Sequence, residues 1–145
     1  MLSINTEECI SKQKSMKEIF QNCPDEEAKY QKIIEFGRAM PPLGVQFKIP
    51  ENLVRGCQSM MYMRTIKKDG RVFFEAESDA LISSGLAAIL IHVYSGLAPE
   101  VIIKCPPDYL EELGIRASLT PSRANGLYSI HLRMKQDALK CLMEK

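Results

Sequence analysis

The spacing of apolar residues along the chain predicts helices on both sides of one short hairpin. A first helix begins at a capping box formed by Asn5 and Glu8. Pro24-Asp25 ends it and caps a second helix, which stops before Pro41-Pro42 because a residue preceding proline disfavours helical backbone. The rough apolar stripe of the first helix comprises Ile10, Met16, Ile19, Phe20 and Cys23.

A hairpin follows, because two strand-like runs flank a turn that contains glycine. The strands are predicted at Met60 to Ile66 and at Arg71 to Glu77, with the turn at Lys67-Lys68-Asp69-Gly70. Two strands alone are marginally stable, so this sheet must pack against helices. Leu53 to Arg55 is the candidate for a third strand.

The central part of the chain predicts a buried helix. It is capped by Ser78 or Asp79 and ended by Gly96, and from Leu86 to Tyr94 it is apolar nearly all round. His92 lies in this segment, so we interpret it as packed or partly buried in the core.

The C-terminal part predicts two short helices and a longer last one. Thr120-Pro121 opens the last helix, with threonine as N-cap and proline at the first helical position. The predicted class is α+β, with several helices packed against a small antiparallel sheet of two to three strands. The apolar stripe of the last helix is Leu127, Ile130, Met134, Ala138 and Cys141.

Length and charge narrow the possible functions. At 145 residues the chain suits one domain. Its 19 basic and 18 acidic residues give a net charge of +1, which provides no field to hold nucleic acid or a membrane surface. No secretory signal is evident, and the longest apolar run, Gly85 to Tyr94, is far shorter than the ~20 residues of a membrane span. We therefore expect a cytoplasmic protein.

The five cysteines are scattered and odd in number, which argues against a disulfide framework. Cys9, Cys23 and Cys141 suit packing on helix faces. Cys105 could be buried, or could be a second sulfur or metal contact. No pair of cysteines or histidines has the close spacing of a zinc site, so we expect no bound metal.

The remaining thiol, Cys57, lies in a more informative place. It follows a loop of about sixteen residues and immediately precedes the first strand. Gly56 permits a sharp turn there, and Arg55 could favour the thiolate. Gln58 and Ser59 are expected to hydrogen-bond the loop backbone. Since free cysteine is often simply buried, a packing role for Cys57 is the alternative.

Several motifs in this order and spacing resemble the SufE family of sulfur-acceptor proteins, which includes CsdE. The stretch GCQS at Gly56 to Ser59, followed some sixty residues later by TPSRxNG, is the most specific part of the likeness. The matching segments are Tyr30 to Gly37, Pro41 to Leu43, Gly56 to Ser59, Asp69-Gly70, Ser78 to Ala80, Gly85-Leu86 and Leu119 to Leu127.

The resemblance implies a specific function and one SufE-like domain over residues 1–145, with a fold related to IscU-type scaffolds. SufE-like proteins accept persulfide sulfur from a PLP-dependent cysteine desulfurase of the SufS or CsdA kind, and they stimulate it. They pass the sulfur to an Fe–S cluster scaffold such as SufBCD. Cys57 is the matching acceptor, and no cofactor is expected because PLP belongs to the desulfurase. Arg123 could orient the loop, engage the desulfurase, or form a salt bridge at the helix start.

Two other classes of function remain open. An IscU-like scaffold would bind the cluster or zinc itself, but it needs three cysteines, and Gln58 stands where such proteins have glycine. A thiol enzyme would need His92 or His131 beside Cys57, within hydrogen-bond reach.

Overall fold

The structure, a computed structural model, describes residues 5–57 and 59–144. Within these ranges six α-helices and one hairpin confirm the α+β class. Short 3₁₀ turns at Val45–Phe47, Pro50–Asn52 and Arg116–Ser118 connect some of them. The elements are α1 (Glu7–Gln21), α2 (Glu26–Ala39), β1 (Met61–Lys68), β2 (Arg71–Ser78), α3 (Leu81–Tyr94), α4 (Pro99–Lys104), α5 (Tyr109–Glu112) and α6 (Pro121–Met143).

Helix α3 is the centre of the molecule, as its apolar sequence predicts, and it is buried on nearly every side. It packs closely against α2, because Gly37 faces Gly85 and a Cβ atom at Gly37 would lie 2.8 Å from the Gly85 nitrogen. The predicted cap at Ser78 or Asp79 is wrong: the helix begins after Ala80, whose backbone N–H donates to Ser78 Oγ at 3.2 Å.

The hairpin pairs β1 with β2 in antiparallel register from Met61 opposite Ser78 to Lys68 opposite Arg71. Its turn is shorter than predicted, because β1 continues to Lys68 and only Asp69 and Gly70 separate the strands. These two residues have positive φ angles of 53° and 78°. This is the two-residue geometry that matches strand twist. Leu53 forms a single bridge to Tyr62, so the predicted third strand does not extend beyond one pairing.

Helix α1 differs from its prediction at the start and in its buried face. Thr6 is the N-cap residue and its side chain makes no capping bond, although Asn5 Oδ1 accepts from the Glu7 N–H at 2.9 Å. The predicted capping box is therefore absent. Ile10 is 56% exposed. The buried face instead comprises Cys9, Gln13, Met16 and Phe20, which recur at helical spacing.

Cys9 and Cys105 form a disulfide bond that joins α1 to the end of α4. Both residues are buried, at 0% and 1% exposure. The expectation that the cysteines would remain unpaired is wrong for this pair. The two residues are 96 apart in sequence, so their proximity arises from the tertiary packing and leaves no local spacing signal.

The other helix ends and the last stripe follow the predictions. Asp25 accepts from the Ala28 N–H at 2.8 Å, and Thr120 accepts from the Arg123 N–H at 3.3 Å. Every predicted stripe residue of α6 is buried. His92 is more exposed than predicted, although its ring packs against Phe36, and His131 is buried. No helix in the described part of the chain has the length and apolar character needed to cross a membrane.

Candidate functional site

Cys57 lies on a bend between the 3₁₀ turn at Pro50–Asn52 and β1, where it is a half-buried free thiol. The bend packs over a narrow crevice between α3 and α6. The volume of this crevice is about 10 Å³, close to the minimum for one water molecule. The site can therefore accommodate about one additional atom beside the sulfur. The crevice is lined by Cys57, Ser83, Leu86, Ser122, Arg123, Gly126 and Ile130.

Burial raises the pKa of the Cys57 thiol. We expected Arg55 to favour the thiolate, but its side chain is exposed and desolvation decides the shift. Arg55 instead lines a wide, open groove of about 700 Å³ whose lining does not include Cys57. In this resting arrangement the sulfur is therefore held as a protonated thiol.

Gly56 provides the sharp turn that the sequence predicts. Its φ of 91° lies in the left-handed region, and a Cβ atom there would overlap the side chain of Ser129 on α6. The Ser129 hydroxyl donates to the Gly56 carbonyl at 3.5 Å, which is a long contact. Glycine thus lets the bend lie directly on α6.

Ser59 holds the other side of the bend. Its hydroxyl donates to Ser83 Oγ at 2.6 Å and lies 3.2 Å from Ser78 Oγ. We expected Ser59 to bond the loop backbone; instead it contacts side chains of α3 and β2, because the bend sits directly against these elements. Gln58 lies outside the described residues.

Arg123 lies in the first turn of α6 and lines the Cys57 crevice. Among the residues that the structure describes, none forms an ion pair or hydrogen bond with its guanidinium, so the salt bridge that could pin the helix start is not observed there. Arg123 therefore places a cationic side chain at the crevice, while burial alone accounts for the raised pKa of the Cys57 thiol.

Neither histidine lines the crevice. His92 packs against Phe36 with ring centroids 5.5 Å apart, and His131 packs against Tyr94 at 5.0 Å. The base that a thiol enzyme requires is not beside Cys57 in this arrangement. Within residues 5–57 and 59–144, no three histidine, cysteine or acidic side chains gather closely enough to hold a metal ion.

Comparison with known proteins identifies the family. A family model described as "SufE: Fe-S metabolism associated domain" matches residues 14–138. The chain belongs to the SufE family. It is 38% identical over 122 residues to an uncharacterized SufE-like protein of Synechocystis sp., which covers 84% of this chain and 77% of that protein. Membership in the SufE family gives the protein a role in Fe–S metabolism.

A plant relative and a solved structure extend the comparison. The chain is 37% identical over 134 residues to SufE-like protein 1, chloroplastic/mitochondrial, of Arabidopsis thaliana, covering 92% of this chain but 36% of that protein. The chain thus spans about a third of the plant relative. The solution structure of a hypothetical protein from Thermus thermophilus matches with a TM-score of 0.77 at 24% identity, covering 92% and 97% of the two chains. At that identity the match supports the fold alone.

Sequence reasoning did not predict several of the residues around Cys57. Gly126 is the last residue of the TPSRxNG stretch, but the sequence predicted no role for it. Ser83 bonds Ser59, and nothing in its local sequence marks it. Arg133 and Asp137, four residues apart on α6, form an ion pair at 3.1 Å that such spacing could have suggested.

Proposed function

We propose that this SufE-family protein accepts persulfide sulfur on Cys57 from a PLP-dependent cysteine desulfurase. It stimulates the desulfurase by clearing its persulfide, and it passes the sulfur to an Fe–S cluster scaffold. The observation that carries this proposal is the free, half-buried Cys57 thiol over a one-atom crevice beside Arg123. A second sulfur on Cys57 needs a space of about this size that is screened from solvent.

The transfer itself is an exchange between sulfur atoms. The Cys57 thiolate attacks the outer sulfur of a persulfide on the desulfurase, and a new S–S bond forms on Cys57. The S–S bond of the donor breaks, and its electron pair leaves with the donor cysteine as a thiolate. The proton of the Cys57 thiol is released before attack. No net oxidation occurs, so the step requires neither an oxidant nor a cofactor on this chain.

The resting and reacting states of Cys57 place different demands on the bend. Burial raises the thiol pKa, which keeps the sulfur unreactive and screened from oxidants while no donor is bound. Attack requires the thiolate, so docking of the desulfurase must expose the sulfur or bring cationic groups to it. Arg123 is the cation already beside the crevice, and we assign it the stabilisation of the anionic sulfur.

Mass spectrometry tests the proposal directly. The chain is incubated with a cysteine desulfurase, PLP and cysteine, and we expect an adduct of about 32 Da, one sulfur atom, on the peptide that carries Cys57. Cys57→Ser should abolish this uptake and leave the far-UV circular dichroism unchanged. Cys23→Ser is the matched control, because Cys23 is also a partly buried free thiol, and it should retain the adduct.

Two results would overturn the proposal. One is an adduct confined to Cys23 or Cys141, the other free thiols of the described chain. The other is unchanged sulfur delivery to a scaffold by Cys57→Ser. Stoichiometric iron or zinc on the purified protein would instead favour the scaffold class.

A further inference from the structure

Arg133 of α6 holds the chain segment that leads into the Cys57 bend. Its Nη1 donates to the Leu53 carbonyl at 3.0 Å, and its Nη2 donates to the Glu51 carbonyl at 2.6 Å. Its Nε donates to both carboxylate oxygens of Asp137 at 3.1 Å. One planar guanidinium therefore ties two carbonyls of the segment to the helix, a geometry that the point charge of lysine cannot reproduce.

The orientation of Arg133 is itself fixed from the sheet. Thr65 of β1 donates to Asp137 Oδ2 at 2.7 Å. The Arg133 and Asp137 side chains are 19% and 11% exposed, so solvent screens their ion pair weakly. The clamp formed by Thr65, Asp137 and Arg133 thus joins β1, α6 and the segment before Cys57 in one chain of hydrogen bonds.

Cys57 lies between this clamp and a second fixed point. The clamp ends at Leu53, and the Val54 N–H donates to the Met61 carbonyl at 2.8 Å. On the other side, Ser59 bonds Ser83. Arg55 and Gly56 form a local turn, and the hydrogen bond that ties residues 55–57 to another element of the described chain is the long Ser129 contact to Gly56. The bend is therefore weakly held between two firmly held points, as a hinged segment would be.

We propose that Arg133 is a positioning residue for Cys57: by holding Glu51 and Leu53 on α6, it sets how readily the Cys57 sulfur leaves its crevice. This inference rests on the proposed function of Cys57, because it concerns the exposure of that sulfur. Weakening the clamp makes the sulfur more accessible in the absence of a desulfurase. The same change shortens the life of a persulfide, because the crevice no longer shelters it.

The test measures alkylation of Cys57 by iodoacetamide, followed peptide by peptide, in the full chain without a desulfurase. We expect Arg133→Ala to speed alkylation about tenfold at neutral pH, since charge-assisted hydrogen bonds of this kind shift a local opening equilibrium by about that factor. The pH profile of the reaction should move to lower pH, because burial is what raises the pKa of this thiol. The alkylation rate of Arg133→Lys should lie between the rates of the wild type and of Arg133→Ala.

Arg71→Ala is the matched control. Arg71 also donates to a backbone carbonyl, that of Gly96 at 2.6 Å, and it pairs with Glu8 at 3.3 Å. It lies at the turn end of the hairpin, whereas Cys57 precedes the opposite end of β1. The control loses one carbonyl contact and one ion pair, and it should leave both the alkylation rate and its pH profile unchanged. Equal effects in the two variants would reduce Arg133 to a general structural role and overturn the inference.

Further outcomes separate this inference from the proposed function. If Arg133→Ala does not fold, Thr65→Val provides the test instead. It removes the hydroxyl hydrogen bond to Asp137, and it should speed Cys57 alkylation by a smaller factor. An unchanged Cys57 alkylation rate in the folded variants overturns the inference alone. Sulfur uptake that survives Cys57→Ser overturns the proposed function, whatever Arg133 does. Faster loss of persulfide sulfur to dithiothreitol in Arg133→Ala supports both.

Discussion

The Cys57 sulfur faces Gly126 of α6, where an added Cβ atom would lie 3.9 Å from Sγ. That distance is an ordinary van der Waals contact, so the helix backbone forms one wall of the crevice without touching the thiol. Leu86 and Ile130 supply apolar walls on either side. The size of the side chain at position 126 therefore determines how much space a second sulfur on Cys57 can occupy.

Gly126→Val should destabilise the persulfide form of Cys57 more than the thiol form. Its two γ carbons would occupy the crevice of about 10 Å³, and overpacking of this kind costs typically about 1–3 kcal/mol. We expect Cys57 persulfide to lose its sulfur to dithiothreitol about fivefold faster than in the wild type, the effect of ~1 kcal/mol. The measurement is the time course of the sulfur adduct by mass spectrometry.

Gly126→Ala is the control for this variant. Its single methyl group makes a normal contact with Sγ, and replacing glycine inside a helix stabilises the fold by about 0.5–1 kcal/mol. The adduct lifetime should stay near the wild-type value. Persulfide held equally long by the valine variant would contradict the assignment of the crevice as the shelter.

Gly56→Ala should destabilise the protein through two separate effects. The left-handed backbone at φ 91° costs an alanine about 1–2 kcal/mol, and its methyl group also overlaps Ser129. Gly70→Ala isolates the first effect, because Gly70 has a φ of 78° and nothing within 4 Å of an added Cβ. Urea unfolding should show the larger loss for Gly56→Ala. Equal losses would mean that the bend does not rest on α6.

Most of the fold could be predicted from local patterns. The hairpin, the central α3 helix and the caps at Asp25 and Thr120 follow from periodicity and capping chemistry within a few residues. The start of α1 and the exposure of Ile10 could not be predicted in this way. Those depend on which face of an amphipathic helix meets distant elements, and a rough apolar stripe leaves that choice open.

Only part of the candidate site could be predicted from the sequence. Cys57, Gly56 and Arg123 stand in recognisable motifs, and the structure brings Cys57 and Arg123 to one crevice. The raised pKa of Cys57 was not foreseen, because desolvation depends on neighbours from α3 and α6. The Cys9–Cys105 disulfide was missed for the same reason, since its partners meet through tertiary packing.

Reduction of the Cys9–Cys105 disulfide should lower stability. The bond closes a sequence separation of 96 residues, and removing a native disulfide from a small domain typically costs about 2–5 kcal/mol. Both cysteines are at most 1% exposed, so an attacking thiolate reaches them only after local opening. We expect a lower urea midpoint for protein reduced while unfolded and refolded with reductant. Reduction of the native protein should be slow.

Cys23→Ala provides the comparison for this experiment. Cys23 is a free thiol, so its variant should show the same difference between oxidised and reduced protein as the wild type. A double variant, Cys9→Ala with Cys105→Ala, should show no difference at all. Identical urea midpoints for oxidised and reduced wild type would contradict a stabilising role for the bond.

His131 lies on the buried face of α6 and is neutral there. Desolvation, helped by nearby Lys135, lowers its pKa from the ordinary 6.5 to about 4. Its ring lies 5.0 Å from that of Tyr94, and within the described residues its Nε2 has no hydrogen-bond partner. The unfolded chain therefore binds a proton at mildly acidic pH that the folded protein excludes.

Acidification should consequently destabilise the protein through His131 before the carboxylates protonate. Because the folded pKa lies below the unfolded one, this contribution is complete above about pH 7 and is lost as the pH falls towards 4, by about 2–3 kcal/mol. Urea unfolding at half-unit steps of pH measures it. His131→Leu keeps an apolar side chain in the core and removes the titrating group, so its stability should fall less over this window. Parallel curves for the two proteins would show that His131 is protonated equally in both states and contradict its buried, neutral form.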